Sequence, residues 1–170
     1  MADPERKTWL MNTQTVSLLL ENKPGALARV VGVLSGLGYN IRSLTAAPAE
    51  DPSLTRATVV FETDADPMAY ARVVGRLNKL IPILSAVDVT GHPVLAQEMV
   101  LARLRTFDRE SGAAALQIAR DFGARIVGPA QNGLELQAAA CPATMDEFAS
   151  RLRRHGTLEL VRSGLVALVS

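Results

Sequence analysis

One cysteine, two histidines and 4% aromatic residues leave this 170-residue chain few of the side chains on which site chemistry usually depends. With Cys141 alone there is no intrachain disulfide and no group of thiolates to hold a soft metal. That fits a reducing compartment. A net charge of +1 gives no electrostatic footprint for nucleic acid or an acidic membrane surface, and the scarcity of aromatics argues against a base-stacking platform. No apolar run approaches the roughly 18 residues that a membrane-crossing helix needs. The start, Met1 to Thr8, is charged and lacks the apolar core of a secretory signal. The expectation is a cytoplasmic protein with no nucleic-acid or membrane partner.

Catalytic motifs are equally scarce. There is no G-x-x-x-x-G-K loop, and Gly36-Leu37-Gly38 follows a helical pattern, the wrong context for a dinucleotide fingerprint. His92, beside Pro93, and His155, after Arg153-Arg154, have no motif partner. Cys141 reads as a small, half-buried filler before Pro142. Asp64, Asp66, Glu110 and Glu147 stand at predicted helix starts, where capping accounts for them. Arg151-Leu152-Arg153-Arg154 reads as a solvated helix face. No catalytic residue and no metal ligand is assigned, and elimination leaves a binding or regulatory module.

What is present is periodic. A composition 48% hydrophobic suits a packed, ordered chain. Thr13 to Glu21 reads as a strand, and Leu27, Val30, Val31, Leu34 and Leu37 recur at helical spacing until Gly36 and Gly38 stop the helix. Strands follow at Asn40 to Ala47 and Leu54 to Thr63, with a loop at Pro48 to Pro52. Asp64-Ala65-Asp66-Pro67 caps a second helix whose apolar side is Val73, Val74, Leu77, Leu80 and Ile81, and Ile83 to Thr90 is a fourth strand. After Gly91-His92-Pro93 the same order returns: a strand over Glu98 to Thr106, a helix over Arg109 to Phe122, and strands at Arg125 to Val127 and Leu134 to Ala140 around Asn132-Gly133. A helix then opens on a Thr144-Met145-Asp146-Glu147 capping box, and a last strand runs from Leu158 to Val169 with a bend at Ser163-Gly164. The fold class is therefore α+β, two ferredoxin-like βαββαβ modules. The predicted division is a mobile tail (1–12), a first module (13–91), a linker (92–97) and a second module (98–170). At roughly 75 residues each, such modules bury only about 60% of their unfolded surface, which favours pairing with another copy or another chain.

Between the first strand and helix lies Glu21-Asn22-Lys23-Pro24-Gly25-Ala26-Leu27. Pro24 at a helix start sacrifices no hydrogen bond. Gly25 leaves the first amides uncovered, and Asn22 supplies an acceptor and donors beside them. From these residues alone two readings stand: an ordinary strand-to-helix turn, or a cradle for an anion such as a carboxylate.

The first module resembles the ACT domain, a ferredoxin-like regulatory unit that typically binds amino acids. More closely, Leu18 through Asn22-Lys23-Pro24-Gly25 to Gly32, then Gly38-Tyr39-Asn40-Ile41-Arg42-Ser43-Leu44-Thr45, resembles the small regulatory subunit of acetolactate synthase (acetohydroxyacid synthase). The likeness continues through Ala47-Pro48, Asp51-Pro52, Leu54-Thr55-Arg56 and Leu77-Asn78-Lys79-Leu80, and resumes at Glu98-Met99-Val100-Leu101 and Val161-Arg162-Ser163-Gly164. The resemblance implies a subunit without a catalytic centre of its own, an ACT-domain homodimer partnered with a large catalytic subunit. Thiamine diphosphate, Mg and FAD are then expected only in that partner, and valine is the effector of feedback inhibition. The family's effector contacts match Asn22, Gly25 and Asn40, all present here, with Ala26, Leu27 and Ile41 as flanking contacts.

Geometry adds a constraint to that implication. A helix of about a dozen residues separates Asn22 from Asn40, so its ends stand about 18 Å apart, farther than one valine reaches. The two asparagines either serve different ends of the fold or meet across a two-fold axis. Antiparallel pairing of the first helix with its symmetry mate would make two equivalent sites. In each, the carboxylate would lie on the helix amides and Asn22, the ammonium on a carbonyl across the interface, and the side chain against Leu27 or Ile41. The alternatives are another amino-acid-sensing regulator with paired ACT-like modules and a small enzyme on a ferredoxin-like scaffold. Pro48 to Leu54 is an exposed candidate for contacting a large subunit.

Overall fold

The computed structural model describes residues 13–62, 67–92, 94–130 and 133–169. The predicted tail (1–12), Asp64 and Asp66 of the predicted cap, Pro93 and Asn132 lie outside the described residues. The chain divides into two compact units, Met1–Leu95 with Leu165–Ser170, and Ala96–Gly164.

In the first unit, β1 (Thr13–Glu21), α1 (Ala26–Gly36), β2 (Ile41–Pro48), β3 (Leu54–Glu62), α2 (Pro67–Leu77) and β4 (Ile83–Asp88) form the βαββαβ order. The sheet is antiparallel in the order β2-β3-β1-β4. Alternation along β1 turns Val16, Leu18 and Leu20 inward, where they are buried with Ala57, Val59 and Phe61 of β3 and Val30 and Leu34 of α1. The chain's last segment bonds to the other face of β2 and β3. Thr58 Oγ1 accepts the Ala167 N–H at 3.2 Å, and the Thr45 hydroxyl donates to the Leu165 carbonyl.

In the second unit the order repeats: β5 (Leu95–Thr106), α3 (Arg109–Asp121), β6 (Arg125–Ala130), β7 (Gly133–Ala140), α4 (Pro142–Leu152) and β8 (Gly156–Leu168), with sheet order β6-β7-β5-β8. β8 runs out of this unit at Gly164, where φ is +83°, the bend expected at Ser163-Gly164. Val100, Ala102 and Leu104 of β5 meet Met145, Phe148 and Leu152 of α4 in one core. Gly133 is required by close backbone approach: a Cβ there would stand 2.0 Å from Leu104 O.

Several local expectations need correction. Pro24 stands in the turn before α1, and Gly25 occupies the N-cap with φ +83°. Ile81 is off the core, because α2 ends at Leu77 and the side chain is 87% exposed beyond it. Thr144 is not an N-cap: α4 starts two residues earlier, with Cys141 at the N-cap and Pro142 at the first helical position. Glu147 consequently sits inside the helix and pairs with Arg151 one turn on. Cys141 is exposed rather than half-buried, with Sγ 3.1 Å from Thr144 Oγ1. The cap of α3 is Asp108, whose side chain accepts the Ser111 N–H at 2.7 Å, while Glu110 adds an acidic group to the first turn.

Candidate functional site

β1 delivers Asn22 to the mouth of a cleft of about 150 Å³ lined by Leu20, Asn22, Gly25, Ala26, Leu27 and Thr55, among others. The turn is held from both sides. Asn22 N–H bonds Ser53 O at 2.7 Å, and its side-chain Nδ2 donates to Pro52 O at 2.9 Å. Lys23 N–H returns to Glu21 O, and the two side chains form an exposed ion pair at 3.0 Å.

The left-handed backbone at Gly25 turns the chain into α1 without a side-chain cap. Ala26 N–H is satisfied by Lys23 O at 3.2 Å and Arg29 N–H by Gly25 O at 3.1 Å. The amides of Leu27 and Ala28 find no acceptor among the described residues. Two free amides at the positive end of a helix dipole, beside the half-buried Leu27, can donate hydrogen bonds to a small anion. Pockets that enclose a whole ligand run about 300–1,000 Å³; this cleft offers a wall rather than an enclosure.

Four of the six expected effector residues, Asn22, Gly25, Ala26 and Leu27, line this cleft. Asn40 and Ile41 do not. Register fixes where they are: Glu21 pairs with Leu54 and Ile41 with Phe61, so the two groups lie at opposite ends of β3. Seven residues of strand at about 3.4 Å each separate them by about 24 Å, and α1, with 11 residues, spans about 16 Å. Asn40 is itself anchored. Its Nδ2 donates to Glu62 Oε2 at 3.0 Å, its carbonyl accepts Glu62 N–H at 2.8 Å, and Arg42 stands 3.6 Å from the other carboxylate oxygen.

Sequence reasoning missed a second polar cluster, in the C-terminal unit. Glu98 on β5 is 7% exposed, with Arg162 of β8 at 3.4 Å; Arg162 also bonds Asp146 of α4 at 2.7 Å. Burial pushes the Glu98 carboxyl above its ordinary value, against the pull of Arg162. No group of three or more His, Cys, Asp or Glu among the described residues can hold a metal ion. No described helix is long and apolar enough to cross a membrane.

Comparison with known proteins accounts for both units. Residues 16–85 match the family model described as an AHAS small subunit-like ACT domain, and residues 97–170 match that of the small subunit of acetolactate synthase. The acetolactate synthase small subunit of Haemophilus influenzae is 36% identical over 154 residues, covering 90% of this chain and 93% of that one. A probable acetolactate synthase small subunit from Archaeoglobus fulgidus is 34% identical over 155 residues, covering 91% and 95%. In fold, the crystal structure of the Thermotoga maritima small subunit superposes with a TM-score of 0.79 at 24% identity, covering 92% and 96%. The chain therefore belongs to the acetolactate synthase small-subunit family.

Proposed function

We propose that this chain is the regulatory subunit of an acetolactate synthase. It partners a large catalytic subunit, raises its activity and makes it sensitive to feedback by valine. Thiamine diphosphate, Mg and FAD belong to that partner, and the assembly works in the cytoplasm. In this reading the chain works as an ACT domain over 13–91 and a C-terminal ferredoxin-like domain over 98–170, with 92–97, which includes the start of β5, connecting them.

The valine site is divided between two copies of the chain. One supplies Asn22, Gly25, Ala26 and Leu27, and the other supplies Asn40 and Ile41 across a two-fold axis between ACT domains. The observation that carries this reading is the placement of the two groups at opposite ends of β3, about 24 Å apart. No single valine spans that distance, and antiparallel pairing of α1 across a dyad closes it twice. The carboxylate takes the Leu27 and Ala28 amides, and the aliphatic side chain lies against Leu27 or against Ile41 of the second copy.

Reconstitution with an acetolactate synthase catalytic subunit, with and without valine, tests the reading. The wild-type chain raises turnover and valine lowers it. Asn40→Ala keeps the activation and weakens valine about 10- to 100-fold, the scale of one lost polar contact to a charged ligand. Unchanged valine inhibition in that variant would remove Asn40 from the site.

A further inference from the structure

The two poles of α1 are not offset by its own side chains, for no acidic residue stands in its first turn and no basic residue in its last. The positive pole offers the unpartnered Leu27 and Ala28 amides. At the negative pole, Leu37 N–H and Tyr39 N–H close on Leu34 O, and Gly38 N–H closes on Ser35 O. The Gly36 carbonyl accepts no hydrogen bond among the described residues. Open carbonyls at a helix C-terminus favour a cation.

Asn40 lies just beyond that pole and is exposed. Its Nδ2 donates to Glu62 Oε2 at 3.0 Å, and its main-chain carbonyl is engaged by Glu62 N–H at 2.8 Å. With the amide nitrogen turned to that carboxylate, Oδ1 is the side-chain atom facing away from it, and it meets no donor among the described residues. Glu62 brings a full negative charge to the same end. Its contact with Arg42, at 3.6 Å between side chains that are each 37% exposed, is a loose one. A carboxylate has about four acceptor positions, so Asn40 and Arg42 leave some of them open.

We infer that Glu62, together with Asn40 Oδ1, is the ammonium half of the effector site, which therefore takes a zwitterionic α-amino acid in one fixed direction. The inference rests on the two-copy site proposed above. Antiparallel pairing of α1 across the dyad sets the positive end of one helix against the negative end of its mate. The ligand between them has its carboxylate on the Leu27 and Ala28 amides of one copy and its ammonium on Glu62 and Asn40 of the other. This polarity discriminates as well as binds. The 2-oxo acid with valine's carbon skeleton keeps the carboxylate and the branched chain, but it sets a carbonyl oxygen against Asn40 Oδ1 and Glu62, acceptor against acceptor. The amine without a carboxylate leaves the helix amides unfilled. A site built to pair a particular donor rejects analogues that lack it far more strongly than a site that reads shape alone.

Calorimetry on the full-length chain tests this with valine, 3-methyl-2-oxobutanoate and 2-methylpropylamine. Valine binds, and both analogues bind at least about 100-fold more weakly. Glu62→Gln preserves an acceptor for Asn40 and removes the charge. It weakens valine about 10- to 100-fold without weakening 3-methyl-2-oxobutanoate, so the gap between the two ligands narrows. A purely structural defect would weaken both ligands alike; the melting temperature and sedimentation of Glu62→Gln stay at wild-type values. Arg42→Gln does not weaken valine. Wild-type valine affinity in Glu62→Gln, alongside weakened binding in Asn40→Ala, overturns the role of Glu62 and leaves the divided site standing. Weakened binding in Arg42→Gln but not in Glu62→Gln reverses the direction of the ligand and overturns the inference, as does equal affinity of the wild type for valine and the 2-oxo acid. Unchanged valine binding in Asn40→Ala refutes the divided site itself, a different outcome from any of these.

Discussion

Replacing Gly25 by alanine isolates the one backbone conformation on which the α1 entrance depends. At φ +83° an L residue pays a steric cost of about 1–2 kcal/mol. A Cβ built there meets nothing within 4 Å, so no clash or new packing adds to or offsets that strain. For a chain of this length the loss corresponds to a fall of about 2–8 °C in melting temperature. Gly75, exposed inside α2 and equally free of contacts, provides the control. Gly75→Ala introduces the same methyl group at ordinary helical φ and should gain about 0.5–1 kcal/mol. One chemical change thus has opposite signs at two sites, read by thermal and urea melts followed by circular dichroism. A Gly25→Ala chain as stable as wild type, or more so, refutes the left-handed entrance and the exposed amides inferred from it.

Removing the Arg162 side chain leaves Glu98 and Asp146 without their shared cation. Arg162→Ala should cost about 1–3 kcal/mol in urea melts at neutral pH, discounted for Arg162 being partly exposed, and adding Glu98→Gln should recover part of it. Glu98→Gln alone is neutral or stabilising at pH 7. Because the folded carboxyl titrates above its ordinary value of 4.5, Glu98 contributes stability that is complete below that value and is lost as pH rises through the raised one. The Gln variant should lack that slope, which melts between pH 4 and 7 will show. Asp108 works in the opposite sense. The Ser111 N–H and hydroxyl hold its pKa below 3.8, so its stabilisation is present above that value and disappears as pH falls through the lower one. Asp108→Ala lowers the melting temperature at pH 7 and flattens the acid limb.

The element order of both units was legible in the sequence because hydrophobic period separates strand from helix, and Leu18, Leu20, Val30 and Leu34 keep their periods cleanly. Errors fell where one pattern fits two frames. Thr144 and Glu147 have capping-box spacing, yet Pro142 is a stronger helix start and shifted the cap to Cys141. Ile81 continued the α2 stripe on paper, but the helix had ended at Leu77 and the next residues turn outward. Asp108 was readable and missed: an Asp three residues before Ser111, at the end of a strand pattern, is an ordinary N-cap signal. The Glu98–Arg162–Asp146 cluster was not readable. Its members come from β5, α4 and β8, and only the folded register brings them together. At the candidate site the sequence supplied the residues, and the strand register supplied the distance between the two groups.

The claim of a site divided between copies is tested most directly by complementation. Asn22→Ala and Asn40→Ala chains each bind valine weakly as homodimers. Mixed as a heterodimer, one composite site carries both alanines and the other carries both native asparagines. Calorimetry on the purified heterodimer should therefore find wild-type affinity at half the wild-type stoichiometry. If every residue of the site came from one chain, each copy would still carry its own defect. A heterodimer that binds valine no better than either parent contradicts the shared site.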